Sequence, residues 1–164
     1  MSLLGVCLSL AVAGASTPPV FVPTLRFTLA WTHSIEKVRW EEDYAVERSS
    51  APNGHAVLKA LTARVRGSAA GMEPPEDAVL RNGWYEYQPT TWSPQGLRLT
   101  RSPYTADYDW CVNGQCHPLA NWLPSDGGIT LLTPCEAPAT ALPGSSKIVH
   151  WAHPFARRLS AFVL

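Results

Sequence analysis

The chain lacks net charge, because 13 lysines and arginines are matched by 13 aspartates and glutamates. No long-range field is available to gather nucleic acid or an anionic membrane, so neither is expected as a charge-driven partner. No apolar run is long enough to span a bilayer comfortably as a helix. No repeat of solenoid length is visible, which excludes a stacked-repeat architecture. No G-x-S-x-G elbow accompanies any serine, and His33-Ser34 is no nucleophilic dyad by sequence, since adjacent residues on a strand point to opposite faces. Long helical patterns are few, and charged residues are scarce.

Proline and tryptophan are plentiful instead, at 15 and 7 residues. With so few helical periods, many prolines favour short strands and structured loops. The length suits one domain with a single core. Repeated short alternating runs separated by Pro, Gly and Asn predict an all-β fold, a single antiparallel β-sandwich or small barrel with a short C-terminal helix.

The densest cluster of ionisable groups lies in Leu25 to Val46, LRFTLAWTHSIEKVRWEEDYAV. Leu25, Phe27, Leu29, Trp31 and His33 share one strand face, and Trp40, Glu42, Tyr44 and Val46 share another. With Ser34 to Arg39 as the turn of an antiparallel hairpin, His33 and Glu42 fall at the edge of the mainly apolar face. Two readings stay open. The two residues pair and hold the register, or His33, Ser34, Glu36, Lys37, Glu41 and Glu42 form a polar pocket for a small ligand or a partner's side chain. Trp31 and Trp40 share the apolar face and are expected in the core.

The cysteines and the amino terminus speak to compartment. MSLLGVCLSLAVAGA reads as an export signal over residues 1–15, with small residues Ala13-Gly14-Ala15 before the cleavage point. No lysine or arginine precedes the apolar run, so an uncleaved amino-terminal anchor is the alternative. In Cys111-Val112-Asn113-Gly114-Gln115-Cys116 the Asn-Gly pair signals a two-residue hairpin that sets Cys111 opposite Cys116, within disulfide reach. Such a bridge belongs to an oxidising compartment. A zinc site from Cys111, Cys116, His117 and Cys135 is the rival. On the disulfide reading Cys135 is left over, either free or competing for a partner.

Further along, Val57 to Arg66 alternates, with Val57, Lys59, Leu61, Ala63 and Val65 on one side. On the other, Arg64 and Arg66 read as solvated side chains, with the second reading that they counter Glu41 or Glu42 if the strand packs beside the first hairpin. Gly67 to Ala78, GSAAGMEPPEDA, breaks the pattern; its glycines reach backbone conformations closed to other residues, and a ligand or another backbone can approach closely. A bulge and turn between strands is the plainer reading. Val79 to Tyr87 holds a second Asn-Gly hairpin, Leu97 to Thr100 and Ile129 to Thr133 read as strands, and Leu119 to Leu123 as one helical turn. Residues 136–146 read as a linker and 147–164 as an amphipathic tail, with a helix from about Pro154 that presents Phe155, Leu159, Phe162 and Val163 on one face. No cofactor is expected, and neither His33 with Glu36 and Glu42 nor His150 with His153 has a strong metal-ligand spacing.

HSIEK at His33 to Lys37, with Glu41-Glu42 and Tyr44 after it, resembles the HSVEK…EE.Y signature of the bacterial family called domain of unknown function 1850. Gly67 to Ala78 is similar to that family's GSGAGMEPPEGA stretch, with Ala69 and Asp77 where the pattern has glycine. Cys111 to Pro124 is similar to its CV.G.C..L..WLP region. The likeness spans roughly residues 24 to 135, taken as the β domain. It implies a small exported accessory protein of tripartite ATP-independent periplasmic (TRAP) transporters of the TAXI class, periplasmic or on the periplasmic face of the inner membrane.

Three functions follow in order. The first is an interaction module for the transporter's membrane permease or solute-binding protein, docking through His33, Ser34, Glu36, Lys37, Glu41 and Glu42 together with Ser68, Gly71, Met72 and Glu73. Membrane contact through the amino terminus or the carboxyl-terminal tail would accompany it. The second is a small organic anion ligand, whose carboxylate meets Lys37 or Arg39 while His33 donates a hydrogen bond. An enzyme ranks last, as a hydrolase using Glu36 and Glu42, and no catalytic residue is assigned.

Overall fold

A computed structural model describes residues 2–11, 17–67, 74–89 and 95–139. Among these the fold is all-β, built from β1 (Ser2–Leu10), β2 (Val20–Pro23), β3 (Arg26–Thr32), β4 (Arg39–Arg48), β5 (Ala56–Val65), β6 (Val79–Arg81), β7 (Trp84–Tyr87), β8 (Leu97–Thr100), β9 (Asp109–Val112), β10 (Gln115–Pro118) and β11 (Ile129–Pro138). A 3-10 turn at Leu119–Asn121 stands where one helical turn is expected. Two antiparallel sheets form, ordered β2-β1-β11-β8 and β10-β9-β3-β4-β5-β7-β6. Neither closes into a barrel. Their facing sides supply one core: Val6, Leu8, Val22 and Leu132 from the smaller sheet meet Phe27, Leu29, Tyr44, Leu58 and Trp110 from the larger. Phe27 stacks between Tyr44 and Trp110, with ring centroids 5.4 and 4.1 Å away.

The Asn-Gly signals fold as read. Asn113 and Gly114 take φ of 52° and 78°, and Asn82 and Gly83 take 51° and 79°, the left-handed pair that a two-residue turn requires to match strand twist. Cys111 therefore faces Cys116 in the β9–β10 register, and the two are bonded. That bond excludes the zinc alternative, which needs both thiolates.

Two expectations, on Cys135 and on β5, are corrected, and the stretch read as an export leader or anchor is described as a strand. The residues assigned to an export leader or anchor form β1, an inner strand paired to β11 along its whole length and to β2 on the other side. Val6 and Leu8 have no exposed surface. Gly5 makes the pairing possible, because a Cβ there would lie 2.3 Å from the Val22 carbonyl oxygen. Cys135 is not left over; it bridges to Cys7. Finally, strict alternation fails in β5. Its register to β4 steps from Asp43↔Thr62 to Tyr44↔Ala60, so Leu61 is an extra, bulged residue. The bulge re-phases the strand, and Leu58 turns inward on the same side as Ala63 and Val65. β11 also extends to Pro138, into the expected linker; the remainder of that linker and the tail at 147–164, with its helix, lie outside the described residues. No helix among the described residues is long and apolar enough to cross a membrane.

Candidate functional site

The larger sheet has two chemically different faces, and β3–β4 pairing decides which side chains occupy each. Facing the core, one row reads Trp110, Leu29, Glu42, Ala63, Tyr87, and the next Trp31, Trp40, Val65, Tyr85. Glu42 is thus the carboxylate of the inward face, between the main core and a smaller cluster around Trp40 and Val65. It accepts a hydrogen bond from the Tyr44 hydroxyl, and among the described residues no basic side chain pairs with it. Burial pushes its pKa above the ordinary value of 4.5, and the Tyr44 bond only partly offsets this. Burial, then the charge of Glu42, likewise raises Tyr44, Tyr87 and Tyr108.

The outer face is a ladder of charges. Arg39 donates to Glu41 at 2.7 Å and to Asp109 at 2.8 Å, and lies 3.8 and 3.7 Å from the sulfurs of Cys111 and Cys116. Arg64 grips Asp43 with both terminal nitrogens at 2.6 and 2.8 Å and also reaches Glu41. Although burial pushes Asp43 up, the bonds from Arg64 and Thr28 hold it below the ordinary carboxylate value. Arg64 follows the second reading and pairs with Glu41 rather than standing solvated; Arg66 instead lies over the Trp84 ring at 4.2 Å.

Hence the pocket residues expected from sequence divide. Glu41 is on the outer face and Glu42 on the inner one. His33 and Glu42 do not pair. The His33 ring stacks on Trp40, centroids 4.5 Å apart, and its Nδ1 accepts the Glu36 N–H at 3.4 Å. The turn closes by His33 N–H to the Val38 carbonyl and Lys37 N–H to the His33 carbonyl, at 2.8 and 3.0 Å, with Lys37 at φ 57°. Ser34, Ile35 and Lys37 project into solvent, Ile35 being 73% exposed. Glu36 turns inward against Gly67, where a Cβ would meet its carboxylate at 3.0 Å. The HSIEK turn and the first residue of the glycine-rich loop therefore share one corner. Ser68, Gly71, Met72 and Glu73 lie outside the described residues.

Next to this corner the two sheets part in a cleft of about 260 Å³. Trp31, Thr32, His33 and Ser34 line one wall, and Thr100, Ser102, Thr105 and Ala106 the other, with Tyr108 also contributing. Arg101, 3% exposed, anchors the second wall: it holds Asp107 with two bonds of 2.7 Å and donates to the Leu123 carbonyl and Thr130. Asp107 in turn accepts the Ala120 N–H. Tyr104, on the same loop, is 92% exposed. The sequence reading missed this second wall, because hydroxyls far from the hairpin in sequence carry no motif. The nearest signal was a tyrosine among polar residues in Ser102-Pro103-Tyr104-Thr105.

No group of three or more His, Cys, Asp or Glu among the described residues is arranged to hold a metal ion. The two disulfides fit an oxidising compartment. No curated protein and no solved structure matches the chain. The family model described as "Domain of unknown function (DUF1850)" matches residues 27–119, from β3 through β10, a stretch that holds every strand of the larger sheet together with β8. Covering more than half of the sequence, that match makes the chain a member of the DUF1850 family.

Proposed function

We propose that the protein is an exported interaction module of a TAXI-class TRAP transport system. On this reading it sits in the periplasm or at the periplasmic face of the inner membrane and docks on the permease or solute-binding protein through the HSIEK corner. The observation that carries this reading is the packing of Glu36 against Gly67. It joins the turn and the base of the glycine-rich loop into one surface, and it leaves Ile35 extended at the tip. An exposed aliphatic side chain flanked by Ser34 and Lys37 is the kind of anchor that a partner's pocket buries, with the polar neighbours as rim. Support for the compartment comes from the disulfides, and support for the transporter from the family resemblance. Arg39, one of the two cations invoked for an organic anion, is already held by Glu41 and Asp109.

The test is co-purification from membranes in mild detergent with the transporter's permease and solute-binding protein, comparing the native chain with Ile35→Asp. The native chain is expected to retain a partner and Ile35→Asp to lose it at least tenfold with an unchanged melting temperature. Retention of neither partner by the native chain sinks the proposal.

A further inference from the structure

We infer that the cleft between the β3 end and the 102–107 loop is a binding site for a small neutral polyhydroxy compound of single-ring size. The inference is independent of the docking reading. Three observations carry it. First, the lining holds no Asp, Glu, Lys or Arg. An ionised ligand would lose water without gaining a counter-charge, which is costly, whereas a neutral polyol would not. The floor is also unfriendly to anions: burial, then the charges of Glu42 and Asp107, raises the Tyr108 phenol, so negative potential lies behind it.

Second, hydroxyls stand ready. Among the described residues the side-chain hydroxyls of Thr32, Ser34, Thr100 and Tyr108 have no protein hydrogen-bond partner, and all four line the cleft. Each both donates and accepts, which matches the alternating donor and acceptor character of a ligand's own hydroxyls. Because His33 Nδ1 already accepts the Glu36 N–H, Nε2–H remains as a further donor. Third, an apolar surface is built in. The Trp31 and Tyr108 rings, with centroids 5.9 Å apart and planes tilted by 50°, form a corner against which the C–H face of a saturated ring can lie. Both walls are fixed, one by the His33 stack on Trp40 and the other by the Arg101–Asp107 pair. At about 260 Å³ the cleft falls just under the ~300–1,000 Å³ range of drug-sized pockets, which favours one ring over an oligomer. The larger depression on the outer face, about 430 Å³ beside Thr28 and Asp43, is a weaker candidate, because Thr28 already donates to Asp43 and Asp43 is held by Arg64.

The test is saturation-transfer NMR on the full chain with D-glucose, D-galactose and myo-inositol as neutral probes, and succinate and malate as anionic ones. At least one neutral probe is expected to give contacts concentrated on its C–H protons, with millimolar affinity, and the two acids none at the same concentration. Ser34→Ala/Thr100→Val, two exposed hydroxyls whose loss spares the core, is expected to weaken binding at least tenfold without lowering the melting temperature. Thr105→Val provides a second, independent reading should that pair perturb the fold. Binding of the acids in preference to the polyols, polyol contacts that survive the hydroxyl deletions, or no contact from any probe would each overturn the inference.

Discussion

At the scale of single residues, two partly buried carboxylates shape how stability responds to pH. Glu42 has a folded pKa above its ordinary value of 4.5, so the folded chain binds that proton more tightly than the unfolded one. Its contribution is therefore most favourable below the unfolded value and is lost as pH rises through the folded one. Glu42→Gln keeps an acceptor for the Tyr44 hydroxyl and removes the charge. It is expected to raise stability at pH 7 by on the order of 1 kcal/mol, the scale of one net hydrogen bond, and to flatten that falling limb in urea titrations run across pH. A variant less stable than the parent at pH 7 would show the carboxylate to be needed in its ionised form. Asp107 has the opposite sign. Although burial pushes it up, the bonds and charge of Arg101 hold it below its ordinary 3.8, so its contribution is present above that value and lost as pH falls through the folded pKa. Arg101→Met strands this carboxylate and two further acceptors. A loss of about 1–3 kcal/mol is expected, the cost of leaving covered acceptors unpaired beside a carboxylate that water still reaches, measured as the shift in urea midpoint. A loss under 1 kcal/mol would mean that the 102–107 loop is held by something else.

At the scale of elements, the β3–β4 turn and the β5 end act as one unit through Gly67. Its φ of +79° is left-handed, and an added Cβ would press on the Glu36 carboxylate at 3.0 Å. Gly67→Ala is expected to cost about 1–2 kcal/mol, since Ala is strained at positive φ and the neighbour must also give way. Part of that cost should return when Glu36 is also changed to Ala, because the steric part then disappears and the backbone part remains. Strict additivity in the double-mutant cycle would separate the turn from the loop. Much of this architecture was legible beforehand. Asn82-Gly83 and Asn113-Gly114 each dictate a turn through local backbone geometry alone, and alternation placed Trp40, Glu42 and Tyr44 on one face. What was not legible depended on distant chain. Leu61 bulges because of how β4 pairs with β5, and nothing in VLKALTARV marks the extra residue. SLLGVCLSL has the apolar content of an export signal and of an inner strand alike, and its pairing to β11 and β2 depends on chain far away in sequence. The cleft was hidden for the same reason, since Thr32 and Thr100 meet only through sheet packing.

At the scale of the whole molecule, the disulfides make unequal contributions, and the inequality tests how β1 belongs to the fold. Cys7–Cys135 joins residues 128 apart in sequence, whereas Cys111–Cys116 joins residues 5 apart. If a bridge acts mainly by restricting the unfolded chain, its contribution grows with the logarithm of loop length, giving about 5 kcal/mol for the long loop and about 2 kcal/mol for the short one. The short bridge also offers the more open sulfur, because Cys116 is exposed although Cys111 is buried, while Cys7 and Cys135 are both partly covered. The Cys7→Ser/Cys135→Ser pair is therefore expected to lower the urea midpoint more than Cys111→Ser/Cys116→Ser, and graded reduction with dithiothreitol should open the short bridge first. Leu8→Ala should add a loss of about 2–5 kcal/mol, as for a fully buried leucine, and peptide mapping of the non-reduced protein should recover a Cys7–Cys135 cross-link. A free Cys135, together with an intact mass that lacks the first residues, would overturn this prediction, because a smaller sheet without β1 would then have to pair β2 and β11 in some other way.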